Sequence, residues 1–334
     1  MTECITIRNF YAQACFFSHN TIATLFFIFA LCLFHTPTIA DHKKSHKVAI
    51  AVLYPTVSKE YSGMFDELIT GIKSVPGYKI HTLRITRDTQ AANIQQWSKN
   101  LNISGYIALG QTTYKLVDTL NSSLTRPLPI IAGGMVATPP GISGISLSGD
   151  PEAFFRKIQL LNPDITRIFF VYSTKNNGWL IPRARKISKQ YGIEFVPLQV
   201  NSIKQATLQY NIVLQSVRPR TDAIWIPLDN VAPLNILLPE ILKVSWNKHI
   251  TIFSNNLLHV RRGALFALYP NHFKQGRRLV ALLHRHLQKK PVKPELYPSV
   301  DLNTAVNIRT ANHLDMRYTR EMIKSFDQRY PAYH

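Results

Sequence analysis

Apolar runs and helical stripes alternate along most of this chain. Residues 48–54 (VAIAVLY) form a continuous apolar, β-rich run that predicts a buried strand. A helix over 64–74 follows, with Met64, Phe65, Leu68, Ile69 and Ile72 sharing one face. After a Pro76-Gly77 turn come a strand over 78–85, a helix over 90–101 and a strand over 105–109. A helix over 111–120, a short strand over 129–132 and a tight loop at Gly133-Gly134 complete a first series.

Residues 139–148 are rich in Gly, Pro and Ser and read as an irregular boundary between two lobes. Beyond it the spacing predicts helices over 151–161, 179–191, 204–217 and 231–243, alternating with strands over 167–172, 194–200, 222–227 and 250–253. Two consecutive β-α-β series at crossover spacing imply an α/β protein with two similar lobes and parallel sheets. The pattern continues with a strand over 263–268, a long helix over 271–288, a Pro- and Lys-rich linker over 289–298, a strand over 300–306 and a helical end from 308. Periodicity alone does not assign these last segments to a lobe.

The length of 334 residues with 46% hydrophobic residues is ample for two cores. The first forty residues stand apart: residues 22–34 are an uncharged apolar run, too short for a bilayer span of about 20 residues, and Thr38 and Ala40 offer small residues before polar Asp41. Residues 1–40 therefore read as an export signal. Cys4, Cys15 and Cys32 all fall within it, so the exported part has no cysteine for disulfides, thiol catalysis or Cys-ligated zinc. That composition suits the bacterial periplasm.

The net charge of +20 would favour nucleic acid if it were concentrated, but the basic residues are scattered, as at Arg84 and Arg87, Arg261 and Arg262, Arg277 and Arg278. No nucleic-acid partner is expected. Enzymatic motifs are also missing: Gly133-Gly134 lacks the dinucleotide spacing, no phosphate loop is present, and residues 141–146 (GISGIS) are not a nucleophile elbow. His284 and His286 are two apart on a helix and face different directions. No catalysis, cofactor or metal is expected.

Parallel strands would instead gather polar loops on one edge of each lobe. These loops carry small hydroxyl, amide and aromatic residues, which suit a small polar ligand. Asp229 and Asn230 end the strand in TDAIWIPLDNVAPLNILLPEIL; Asp229 either meets a ligand ammonium or caps the following helix. Thr112 or Thr113 either caps its helix or helps hold an anion at the helix amino terminus. Tyr54, Tyr61 and Tyr172 either stack on a ligand or pack within a lobe.

Several stretches carry a family likeness: VAIAVLYPTVSKEYSGMFDELITGI, IWIPLDNVAPLN, ITIFSNN, GALFALYPNHFKQGRRLVALL with Tyr269, Phe273 and Gly276, and DLNTAVNIRTANHLDM. From about Lys47 to Arg317 the chain resembles the ABC-transporter substrate-binding proteins of the periplasmic binding protein type I fold, in the branch that takes aromatic or other hydrophobic amino acids. The resemblance implies two Rossmann-like lobes joined by three crossovers, residues 46–149 with 262–290 and residues 150–261 with 291–334. It implies a monomer that closes on a small molecule and serves a membrane permease and ATPase or, alternatively, a membrane sensor protein. Carried over by position, Ser58, Tyr61, Thr112 and Gly134 would face the cleft from the first lobe, and Tyr172, Asp229 and Asn255 from the second.

Overall fold

The computed structural model describes residues 47–288 and 293–331. The expected export signal lies outside the described residues. No described helix is long and apolar enough to cross a membrane.

Two sheets organise the molecule. The first has six parallel strands in the order β11-β5-β4-β3-β1-β2, where β1 is Val48–Pro55, β2 Tyr78–Ile85, β3 Ile103–Leu109, β4 Ile130–Gly133, β5 Gly144–Gly149 and β11 Leu296–Ser299. The second is ordered β13-β12-β10-β9-β8-β6-β7, from β6 Arg167–Tyr172, β7 Glu194–Gln199, β8 Asp222–Ile226, β9 Thr251–Ser254, β10 Phe266–Pro270, β12 Leu302–Asn307 and β13 Gln328–Tyr330. Strand β12 runs antiparallel to β10 and carries β13 parallel to itself.

Helices cover both sheets. Those used below are α1 Lys59–Lys73, α2 Ala91–Ser98, α3 Gln111–Ser122, α4 Pro151–Leu161, α5 Ile181–Gln190, α6 Ile203–Ser216, α7 Leu234–Lys248, α8 Leu257–Arg262, α9 His272–Leu287 and α10 Ile308–His313. The chain crosses between sheets three times: from β5 into α4, from β10 into α9, and from β11 into β12. Asp150 marks the first crossing, where it caps α4 and holds Arg183 through two hydrogen bonds of 2.9 and 2.5 Å.

The second sheet is centred on buried Trp225, stacked on Phe154 at 4.5 Å between ring centres and met edge-on by Phe170 at 4.7 Å. Burial of each such ring stabilises the fold by roughly 1.5–3 kcal/mol. On the first sheet, α1 and α9 cross so closely that a Cβ on Gly71 would stand 2.0 Å from the Phe273 carbonyl oxygen, and one on Gly276 2.1 Å from that of Leu68. Only hydrogen at both positions lets the two backbones touch.

Three expectations shift. Residues 139–148, read as an irregular boundary, contain most of β5. The segment 263–290 does not go to the first lobe as a whole: Phe266 stacks on Phe253 at 4.9 Å and keeps β10 in the second sheet, while Leu279, Val280 and Leu283 of α9 pack with Ile50 and Ile107 under the first. The stretch expected as linker returns β11 to the first sheet beside β5 before β12 enters the second.

Candidate functional site

The carboxyl ends of β8, β6 and β9 bring three loops of the second lobe together, and Asp229 anchors the first two to each other. Its Oδ1 accepts from the Ser173 hydroxyl, the Asn176 amide and the Val231 N–H, each at 3.0 Å. Its Oδ2 accepts from the Ser173 N–H at 2.8 Å and from the Ser173 hydroxyl and Asn177 amide at 3.0 Å. A carboxylate offers about four lone-pair sites, so the protein's own donors fill them. Asn177 also donates to the Leu228 carbonyl at 3.0 Å and accepts from the Ser148 hydroxyl of β5 at 3.2 Å, linking these loops to the first crossover.

Asp229 does not cap a helix. The expected helix at 231 begins at Leu234, with Pro233 in the cap position. Proline fixes φ and turns the preceding residue away from helical backbone, which delays the start. The freed segment lets Asp229 turn back toward the loop after β6.

A cavity of about 330 Å³ opens beside this anchor. Tyr61 of α1 lines it from the first lobe, and Pro227, Leu228, Asp229, Leu234, Asn235, Asn256, Leu258, His259 and Arg262 line it from the second. Tyr61 is 61% exposed and Leu258 52%, so two large apolar side chains stand open at its edge. His259 Nδ1 lies 2.7 Å from the Ser254 hydroxyl. Burial, with a smaller contribution from Arg262, pushes its imidazole down to about 4, so the ring is neutral at pH 7.

Of the seven residues carried over from the family likeness, Tyr61 and Asp229 line this cavity together. Ser58 holds the cap position of α1 without a side-chain hydrogen bond. Thr112 is exposed in the first turn of α3, where Gly110, and neither threonine, is the cap. Gly134 turns with φ +64° beside Phe65. Tyr172 is 8% exposed and packs on Phe170, and Asn255 accepts from the buried Trp225 indole at 2.7 Å. These five do not line the cavity.

Sequence reasoning passed over Ser173, Asn176 and Asn177 as individual residues. Their clustering in a polar loop after a strand was the available signal. His259 and Arg262 lie on α8, a helix of six residues too short for a periodic pattern to reveal.

A family model described as ABC transporter substrate binding protein matches residues 134–329. The chain belongs to this family. Among solved structures, a ligand-free, open substrate binding protein with adhesive properties from Clostridium difficile superposes with a TM-score of 0.56 at 15% identity, covering 84% of this chain and 98% of the other. An ABC domain in complex with L-Trp from Streptococcus pneumonia gives 0.54 at 17%, covering 85% and 99%. A conserved domain protein from Vibrio cholerae gives 0.53 at 15%, with the same coverage. At such identities the likeness shows the shared two-lobed α/β fold. No curated protein matches the chain.

Proposed function

We propose that this protein is the periplasmic solute-binding component of an ABC uptake system and closes its two lobes around a single amino acid with an apolar side chain. The cavity shared by Tyr61 and the Asp229 loop carries this reading, because it joins groups from both lobes at the carboxyl ends of strands. Its volume lies near the lower bound of small-molecule pockets, roughly 300 Å³.

The chemistry of the lining suits a zwitterion. Arg262 and the amides of Asn235 and Asn256 supply donors for a carboxylate, and Asp229 supplies negative charge toward an ammonium. Because its lone pairs are filled from within, Asp229 acts on the ammonium through its field, or directly where the ligand displaces Asn176. Tyr61, Leu228, Leu234 and Leu258 give an apolar wall for the side chain. The relative solved with L-Trp supports the same ligand class.

The ligand would bind both walls at once, so it favours the closed arrangement over the open one. The closed form would then be what a membrane permease and its ATPase recognise. Delivery to the periplasm would rest on the segment 1–40.

A thermal-shift screen of the full chain tests this reading. L-tryptophan, L-phenylalanine or L-leucine at a hundredfold excess over Kd should raise the melting temperature by about 4–5 °C. If no zwitterion moves the midpoint while a neutral or purely anionic compound does, the amino-acid reading fails.

A further inference from the structure

A second cavity, of about 380 Å³, lies in the second lobe between α7, α8 and α10. Four cationic side chains line it, Lys243, Arg261, Arg262 and Arg309, and no carboxylate does. None of the four forms an ion pair among the described residues. Four like charges around one concavity repel each other, and an anion relieves that repulsion.

The neighbouring groups keep these cations available. The Arg309 guanidinium lies 5.5 Å from the centre of the Trp246 ring, and stacking of this kind leaves in-plane N–H groups free to donate. Trp246 is itself fixed by the His313 ring at 3.5 Å. Arg261 gives its Nε–H to the Tyr330 hydroxyl at 2.9 Å and retains its terminal nitrogens. Lys243 and Arg262 make no side-chain hydrogen bond among the described residues.

The neutral polar groups are already used. The Asn307 amide donates to the Val260 carbonyl and the Thr310 hydroxyl to the Gly263 carbonyl, both at 2.9 Å, and Ser245 donates to Ile250. Asp315, a carboxylate near His313, is held by Arg220 at 2.7 Å. What the cavity offers a ligand is therefore positive charge above an apolar floor of Pro239, Leu242 and Leu314.

We infer that this cavity is a binding site for a phosphate group, adjoining the proposed amino-acid cavity, with which it shares Arg262. Guanidinium and ammonium groups converging on one concavity match a tetrahedral, multiply charged oxyanion. Either free phosphate or the headgroup of an anionic phospholipid supplies that chemistry.

Two titrations of the full chain separate these sources and test the site: inorganic phosphate by calorimetry, and co-sedimentation with phosphatidylglycerol vesicles against phosphatidylcholine vesicles. Lys243→Gln combined with Arg309→Gln should weaken binding at least tenfold. Lys243→Gln alone, at a side chain with no described partner, should weaken it severalfold without moving the melting temperature. A control with the same charge change, Lys186→Gln with Lys189→Gln on α5, should bind as the unaltered chain does. Phosphate binding lost in the double variant assigns the site to free phosphate, and vesicle binding lost in the same way assigns it to a lipid headgroup. Absence of both, or binding equal in the double variant and the control, overturns the inference. Arg262 is left unaltered because it also lines the amino-acid cavity.

Discussion

The two rims of the cleft are built differently. On the second lobe, Asp229 gathers donors from Ser173, Asn176, Asn177 and Val231, Asn255 fixes Trp225, and Ser254 pairs with His259. On the first lobe, the side chains of Ser58, Tyr61 and Thr112 make no hydrogen bond among the described residues. Of these residues Tyr61, Asp229 and His259 line the cavity, so its second-lobe side is held by internal hydrogen bonds whereas its first-lobe side is not. A pre-organised wall lowers the ordering cost of binding. In the proposed closure, unpartnered Tyr61 would follow the ligand.

This contrast makes substitutions on the two rims behave differently. Asp229→Ala removes the shared acceptor of five donor groups from two loops and leaves the Ser173 and Val231 N–H groups and the Ser173 hydroxyl without one, so it should cost about 2–4 kcal/mol of stability and abolish amino-acid binding. Chemical denaturation with calorimetry on the folded fraction measures both. Binding lost at unchanged stability would mean that the network contributes nothing to the fold.

His259 gives a smaller effect on the same rim. Its folded pKa of about 4 lies below the ordinary 6.5, so between these values the unfolded chain holds the extra proton. Its contribution is complete above pH 6.5 and is lost as the pH falls toward 4, on the order of 2–3 kcal/mol in all. In His259→Gln the stability difference between pH 7 and pH 4.5 should shrink by most of that amount. An unchanged difference would show that the imidazole is not held neutral.

Much of the fold was legible in the chain because buried parallel strands read as uninterrupted apolar runs. The strand expected over 78–85 and the helix over 151–161 have those bounds in the structure. Strand β5 was hidden because glycine signals a loop, yet a side chain on Gly144 would stand 2.6 Å from the Ala132 carbonyl oxygen, so the strand needs glycine to pair there. The interleaving of β10, α9, β11 and β12 between sheets was beyond local pattern, since the contacts that decide it, such as Phe266 on Phe253, join distant parts of the fold.

At the site, a strand end with an acid was visible in IWIPLDN, but all of the donors that saturate Asp229 except the Val231 N–H come from more than fifty residues away. Tyr172, which the sequence left as either a stacking or a packing aromatic, and Asn255 both stand at strand ends. Only the packing around Trp225 shows that both serve the core.

The account rests on the ligand touching both rims, and Tyr61 is the first lobe's contribution to the cavity. Because Tyr61 is exposed and unbonded, Tyr61→Ala should change stability by no more than about 0.5 kcal/mol. Calorimetric titration of Tyr61→Ala with the L-amino acid that shifts the unaltered chain should give an affinity at least tenfold weaker at an unchanged melting temperature. Affinity equal to that of the unaltered chain would contradict a ligand bridging the two lobes.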